Sequence, residues 1–214
     1  MTPRRRLAAL RQAASRRLRA LREVVDGILH GDPIRSTEIR VSYATLEALN
    51  TWRNFVRAYY LSYAVDAKSE NGATLTFEHP LTMPQALAIA VHSGRPTAVR
   101  RADGTWDRRD EPAWHDPNTL LTLCRNLGAS NLPHVEAALS SQSRVFSDLP
   151  VFRNYFAHRN QQTKRAAVAL APLNSVPASP RPTGVLLAIP AQRYQSLLLE
   201  WLDDLALTIE YLCF

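Results

Sequence analysis

The sequence predicts an all-α fold: a bundle of about five to seven helices with a small irregular or hairpin insertion. Apolar residues recur at spacings of three and four along several long stretches, as on one face of a helix. The chain has 214 residues, 46% of them hydrophobic and 21% charged, which suits a single domain over residues 1–214, although length alone would also allow two small domains. There is no glycine-rich phosphate loop, which argues against a nucleotide-binding α/β fold.

The first predicted helix, Thr2 to Leu29 within a basic segment 1–31, carries most of the net charge. Residues 1–22 contain eight arginines and no acid, and the rest of the chain has 18 basic against 19 acidic side chains. Such a helix can follow phosphates or lie on an anionic membrane surface, and it also resembles a transit peptide. We favour a solvated face on a core helix, with attraction to RNA second. Its apolar stripe is Leu7, Leu10, Ala14, Leu18, Leu21, Val25 and Ile28, and its candidate RNA-binding residues are Arg4, Arg5, Arg11, Arg16 and Arg17.

A stop signal at 30–33, with Gly31 and Pro33, precedes a long helix predicted from Thr37 to Ala67. Because its apolar stripe is rich in aromatic side chains, we expect it to be the central helix of the bundle. The stripe is Tyr43, Leu46, Leu49, Trp52, Val56, Tyr59 and Tyr63, widened by Phe55 and Tyr60.

Residues 68–117 are the predicted irregular insertion. It contains a short helix opened by Thr82 and ended at Gly94, and Asp103-Gly104 could be the turn of a β-hairpin over Thr97 to Asp107. Further helices are predicted from Pro117 to a stop at Gly128 and after Pro133.

Residues 172–190 hold five prolines and are predicted to be an exposed connection with one strand-like segment, Val185 to Ile189. The final predicted helix is Ala191 to Cys213. Its inward side chains are Tyr194, Leu198, Trp201, Leu205, Ile209 and Leu212.

The stretch SDLPVFRNYFAHRNQQ, Ser147 to Gln162, carries the candidate chemistry. Ser147 or Asp148 can cap a helix start, Pro150 tolerates its first turn, and the helix is predicted to continue as far as Leu170. At 100° per residue the aromatics Phe152, Tyr155 and Phe156 share one side. The other side presents Asn154, Ala157, His158 and Gln161, with Arg153 at its margin.

Arg153-Asn154-x-x-x-His158 resembles the signature of HEPN domains, in which an arginine, usually followed by a polar residue, precedes a histidine by four to six positions. The resemblance implies a small helical bundle that commonly dimerises. In active members two copies of the motif meet in a groove and cut RNA without a metal, often in bacterial toxin or phage-defence systems. It therefore implies Arg153, Asn154 and His158 as catalytic residues, RNA as substrate, a homodimer, a possible antitoxin or defence-system partner, and no cofactor. Some HEPN toxins carry a modified tyrosine two residues after the histidine, where this chain has Asn160.

The chemistry of these side chains agrees with that expectation. An imidazole can serve as acid or base near neutral pH, an arginine offers a planar fork of donors to phosphate, and Arg159 could add phosphate affinity. Arg153 and His158 project about 140° apart on an ideal helix, so a composite site needs Arg153 to bend or a second subunit. Arg108 and Arg109 also precede His115 at permitted spacings, but Pro112 and Pro117 make a continuous helix there unlikely.

Other classes fit less well. Cys124 and Cys213 form no disulfide framework, and the histidines have no metal-ligand spacing, so we predict no metal site. Asp203-Asp204 could be a metal pair, but a solvated acidic face is favoured. No run approaches the ~18 apolar residues that span a membrane, and a reducing cytoplasm fits the composition. The alternative function is a non-catalytic helical module of the same fold that binds RNA, a nucleotide or a partner protein.

Overall fold

The computed structural model describes residues 7–29, 34–140 and 143–214. This part of the chain forms nine α-helices and two short 3-10 helices, Tyr63–Val65 and Pro172–Asn174. The α-helices are α1 Leu7–Leu29, α2 Ile34–Ser62, α3 Met83–Gly94, α4 Pro117–Asn126, α5 Leu132–Leu139, α6 Val145–His158, α7 Gln161–Val168, α8 Pro182–Leu187 and α9 Leu197–Cys213.

The predicted all-α class is confirmed, since the described residues contain no strand and only one isolated bridge, Lys68 with Thr74. No helix in the described ranges is both long and apolar enough to cross a membrane. The helices outnumber the five to seven expected, because the motif helix is divided into α6 and α7 and because α8 replaces a predicted strand.

The chain divides into two compact units. The first comprises the described parts of 1–13, 52–141 and 209–214, and the second those of 14–51 and 142–208. The helices α1, α2 and α9 each contribute residues to both units.

The first unit has an aromatic core supplied largely by the C-terminal half of α2, as the sequence predicted. Its rings form a chain of neighbouring pairs, with centroid separations of 4.9 to 6.0 Å. The polar atoms of these rings are satisfied inside the unit: the Trp52 indole donates to a backbone carbonyl at 3.0 Å, and the Tyr60 hydroxyl donates to another at 2.8 Å. The rings are Trp52, Phe55, Tyr59, Tyr60, Tyr63, Phe77 and Trp114.

The second unit is built from apolar helix faces. Residues of α1, α2, α6, α8 and α9 supply its buried side chains, including Leu18, Leu21, Val25, Val41, Leu149, Phe152, Val185, Leu198 and Trp201. The predicted stripe of α1 is confirmed over the described residues, with Leu10 only half-buried. Thr2 to Arg6 and the stop signal at 30–33 lie outside the described residues.

Several helix starts follow the predicted signals. Thr82 opens α3 as a capping box, in which its backbone N–H donates to the Gln85 side chain at 2.9 Å. Asp116 caps α4 by accepting from the Asn118 backbone N–H at 3.0 Å. Gly128 follows α4 with a φ of +59°, as expected for a glycine stop.

Other boundaries were predicted wrongly. The last helix begins at Leu197 rather than Ala191, because the chain turns after Pro190 with Gln192 at a φ of +64°; Tyr194, expected to be inward, is 100% exposed. The Val185 to Ile189 segment lies mostly in helix α8, which has Pro182 in its first turn, rather than in a strand. The long helix ends as α2 at Ser62, before the 3-10 turn and a left-handed Asp66. Its Tyr43 is exposed rather than inward.

The insertion 68–117 is irregular apart from α3 and the start of α4. Its possible hairpin is only a tight turn, in which the Arg101 N–H donates to the Thr105 carbonyl and the Gly104 N–H to the Arg101 carbonyl, both at 2.9 Å. The described residues provide no sheet on which an isolated hairpin could form longer strands.

Candidate functional site

Helix α6 carries the predicted motif, but it begins differently from the prediction. It starts at Val145, whose backbone N–H donates to the Ser143 hydroxyl at 3.2 Å. Pro150 is therefore inside the helix rather than in its first turn. Asp148 is not a cap, since its buried carboxylate accepts from Arg144 at 2.9 and 3.3 Å and from the Asn174 amide at 2.8 Å.

This network and the aromatic face hold α6 in the second unit. Phe152 and Phe156 are buried, and the Phe152 ring packs against Trp201 with centroids 5.6 Å apart. Such edge-to-face packing favours one orientation of the helix. The predicted division of faces is confirmed within α6, where Asn154 and His158 are exposed and Arg153 is half-buried, whereas Gln161 lies in α7.

The three motif side chains make no hydrogen bond or ion pair with any described residue. Asn154 precedes His158 by one turn, so the amide and the imidazole share a face at the C-terminal end of α6. Arg153 is five positions from His158, and these two side chains project about 140° apart. A single copy of α6 therefore groups Asn154 with His158 and leaves Arg153 at the side.

The end of α6 is fixed by the two residues that follow the motif. Arg159 ends the helix with a left-handed φ of +46°, and Asn160 begins α7 by accepting from the Thr163 backbone N–H at 2.9 Å. The predicted continuous helix to Leu170 is therefore wrong. Arg159 also forms an ion pair with Glu38 at 3.4 Å. Both partners are about half exposed, so this pair is weak and could exchange for a phosphate.

The candidate RNA-binding arginines of the first helix fall into three groups. Arg4 and Arg5 lie outside the described residues. Arg11 forms an ion pair with Glu70. Arg16 and Arg17 are exposed and form no ion pair with a described residue.

The competing motif copy is not helical. Residues 95–116 contain no helix, and α4 begins only at Pro117, as the two prolines predicted. Arg109 pairs locally with Asp107 at 3.4 Å. The Arg153 copy therefore lies in a helix and this copy does not, although the predicted start signal of the Arg153 helix is wrong.

The acidic pair on α9 is engaged by neighbouring side chains. Asp203 accepts from Arg22 and from the Gln195 amide, the latter at 2.7 Å, and Asp204 accepts from Ser143 at 2.5 Å. Within the described ranges, no group of three or more His, Cys, Asp or Glu side chains is close enough to hold a metal ion.

Sequence reasoning missed a small cavity in the second unit, between α1 and α2. Its α2 wall is Tyr43, Glu47 and Thr51, and its α1 wall includes Arg17. The available signal was the spacing of the α2 residues at i, i+4 and i+8, which places them on one face. The apolar stripe of α2 instead predicts that Tyr43 is buried in the core, so the stripe does not reveal this face.

No protein-family model, no curated protein and no solved structure matches this chain. The candidate site therefore stands on its own residues and their surroundings.

Proposed function

We propose that this chain is a metal-independent endoribonuclease of the HEPN type that cuts single-stranded RNA, acting in a bacterial toxin or phage-defence system. One observation supports it most: three side chains suited to phosphate transfer lie without polar partners at the outer end of an anchored helix. The side chains of Arg153, Asn154 and His158 form no hydrogen bond or ion pair with the described residues. The opposite face of α6 is buried, and Phe152 and Phe156 lie on it. Such groups remain available to a substrate.

The proposed reaction is attack of an internal 2′-hydroxyl on the adjacent phosphorus. A base removes the 2′-hydroxyl proton, the P–O5′ bond breaks, and the leaving 5′-oxygen takes a proton, which leaves a 2′,3′-cyclic phosphate. His158 serves as acid or base in these transfers. Arg153 stabilises the charge that builds up on the phosphorane oxygens, and Asn154 orients the imidazole or the substrate.

The composite site is completed by a second copy of the chain. One α6 directs Arg153 and His158 about 140° apart, so the arginine of one copy and the histidine of the other would flank one phosphate in a homodimer. Exposure of Asn154 and His158 is compatible with such pairing. The Arg159–Glu38 ion pair is exposed enough to open toward the RNA backbone.

Cleavage of a fluorescent single-stranded RNA by purified variants tests this function. We expect His158→Ala and Arg153→Ala each to lower the rate about 10²–10⁴-fold, and Asn154→Ala to lower it less. Activity should persist in EDTA, and the product should carry a cyclic phosphate or its hydrolysis product. Matched controls are His79→Ala and Arg181→Ala, which change exposed side chains without polar partners among the described residues. Circular dichroism of each variant should match the parent.

Mixing the two inactive variants tests the composite site. If one phosphate is served by both copies, equal amounts of Arg153→Ala and His158→Ala should recover part of the activity through mixed dimers that carry one intact site. A stable monomer in light scattering at micromolar concentration would contradict this arrangement. Well-folded parent protein that binds RNA without cutting it would instead favour the non-catalytic binding module.

A further inference from the structure

The α2 residues that line the cavity between α1 and α2 in the second unit become less exposed along the helix. Tyr43 at one end is 53% exposed, Glu47 is half-buried, and Thr51 at the other end is only 3% exposed. Because these residues are spaced four apart, they lie on one face of the helix, one turn above another. The cavity therefore opens beside an aromatic ring and closes at a hydroxyl.

The hydroxyl at the closed end lacks a partner. Thr51 Oγ1 is buried and forms no hydrogen bond with the described residues. Three other buried helix hydroxyls donate to the carbonyl four residues earlier: Thr45 at 2.7 Å, Ser62 at 2.8 Å and Thr208 at 2.8 Å. A buried polar group without a partner is costly, so the Thr51 hydroxyl points to a ligand that bonds it.

The opposite wall comes from α1. Leu21 and Val24 provide apolar surface, and Arg17 is an exposed cation that forms no ion pair with a described residue. The Arg40 guanidinium donates to the Val24 carbonyl at 3.3 Å and so ties the two helices together beside the cavity. The lining of the cavity thus combines a cation, an aromatic ring, a carboxylate and a hydroxyl.

We propose that this cavity binds one guanine base of single-stranded RNA, a proposal that rests on the proposed function for its choice of RNA. Its volume of about 290 Å³ lies at the lower end of small-molecule sites, which run from roughly 300 Å³ upward, and suits one base. The Tyr43 ring stacks on the base, and Arg17 binds the flanking phosphate.

Glu47 supplies the base preference. An ionised carboxylate only accepts hydrogen bonds, and guanine is the base whose Watson–Crick edge presents two adjacent donors, N1–H and the N2 amino group. The Glu47 carboxylate already accepts a hydrogen bond from the Asn50 amide at 3.0 Å, which holds the side chain in place. Its remaining lone pairs can accept hydrogen bonds from the N1–H and N2 amino groups of the base. Thr51, one turn further in, bonds the O6 carbonyl as donor.

This cavity and the motif flank different sides of α2. Glu38, the partner of Arg159, projects about 180° from Glu47 on an ideal helix. Ile39 and Tyr43 project between these directions, and both are exposed. A strand that crosses this exposed face would pass apolar and aromatic side chains on its way from the cavity to His158.

Binding of uncleavable RNA tests the proposal separately from catalysis. The probes are fluorescent 2′-O-methyl oligouridylates with one central guanosine, inosine or adenosine, bound to the full chain at fixed salt. Since a hydrogen bond to a charged group is strong, we expect guanosine to bind about tenfold or more tighter than inosine, which lacks the N2 amino group, and tighter still than adenosine.

Variants of the cavity residues test which side chains cause this preference for guanosine. Glu47→Gln should abolish most of the guanosine preference, and Thr51→Val should weaken guanosine and inosine probes alike, because both bases carry the O6 carbonyl. Tyr43→Ala should weaken all probes about fivefold or more. The matched control, Glu23→Gln, removes an exposed carboxylate of α1 outside the cavity and should change nothing.

Two results would overturn the base site: equal binding of guanosine, inosine and adenosine probes by the parent, or an unchanged preference in Glu47→Gln with an unchanged melting temperature. If the parent protein cleaves no RNA but still binds guanosine probes preferentially, the proposed nuclease activity is contradicted and the base site is not. Cleavage without any base preference in binding would contradict the cavity alone.

Discussion

At the scale of single residues, burial fixes the ionisation of two thiols. Burial raises the pKa of both Cys124 and Cys213 from an ordinary 9.0 to about 12. Burial likewise raises the pKa values of Tyr59, Tyr60 and Tyr63 above their ordinary range. The folded chain therefore holds these protons at a pH where the unfolded chain releases them.

This difference predicts a loss of stability in alkali. Between pH 9 and pH 12 the unfolded state binds fewer protons than the folded state, so the free energy of unfolding falls as the pH rises. Ionisation of each thiol in the unfolded state lowers the free energy of unfolding by an amount on the order of 1 kcal/mol by pH 10, and this loss is absent below pH 8. Urea unfolding at pH 8 and pH 10 measures it.

Cys124→Ala should reduce the pH-dependent loss by about 1 kcal/mol, whatever its cost at pH 8. The matched control, Val135→Ala, also shortens a buried side chain of the first unit but removes no titrating group. It should lose as much stability between the two pH values as the parent. An equal loss in Cys124→Ala would show that this thiol ionises freely in the folded chain.

Individual side chains were predicted from the sequence only where helical spacing was sufficient. The buried aromatics of α2 and the exposed Asn154 and His158 follow from positions on a wheel. Partners distant in sequence did not follow: nothing in the spacing links Asp148 to Asn174 or Arg159 to Glu38. These pairs depend on how loops bring helices together, and one sequence does not encode that as a periodicity.

At the scale of elements, boundaries depended on local chemistry. Helices with a capping residue or proline at the start, α3 and α4, were predicted to within a few residues. Boundaries set by left-handed non-glycine residues, Arg159 and Gln192, were missed. Such conformations are uncommon outside glycine, and tertiary packing rather than local preference selects them.

Asp148 predicts how firmly α6 is held. Its carboxylate, in the first turn of α6, joins Arg144, which immediately precedes the helix, to Asn174 in the 3-10 turn Pro172–Asn174, and the Asp148–Asn174 bond is buried. Asp148→Ala removes a charge-assisted hydrogen bond to a buried amide, so we expect the free energy of unfolding to fall by about 2–3 kcal/mol. Chemical denaturation measures this change.

A double-mutant cycle of Asp148→Ala with Asn174→Ala should give a coupling energy of about 1 kcal/mol or more. Glu210→Gln, an exposed carboxylate of α9, is the matched control and should change stability by less than about 0.5 kcal/mol. Additive effects of the two alanine substitutions would mean that the buried bond contributes nothing of its own.

At the scale of the whole molecule, the fold class and the charge distribution follow from the sequence. Which of the charged side chains form ion pairs does not. Eight arginines lie within residues 1–22, but the described ones differ in their surroundings. Arg11 is opposed by Glu70, and Arg22 by Asp203. Arg16 and Arg19 are exposed without an ion-pair partner among the described residues, so their charges are not offset by a neighbour.

This distinction predicts which arginines control the salt dependence of RNA binding. Each cation that contacts a phosphate of a single strand contributes a slope of about 0.7 in log affinity against log salt, because it releases counterions. The double substitution of Arg16→Gln and Arg19→Gln should therefore lower the slope by about 1.4. Arg11→Gln should change the slope much less, since Glu70 already opposes that charge.

Anisotropy titrations with uncleavable single-stranded RNA from about 50 to about 300 mM salt measure the slopes. The matched control replaces Arg95 and Arg125, which pair with Asp110 and Glu136, by Gln and should leave the slope unchanged. These charge-removing variants keep the buried residues Leu18 and Leu21 of α1 in place, which deletion of residues 2–22 would not. An unchanged slope in the Arg16 and Arg19 variant would mean that these two arginines form only a solvated face of α1.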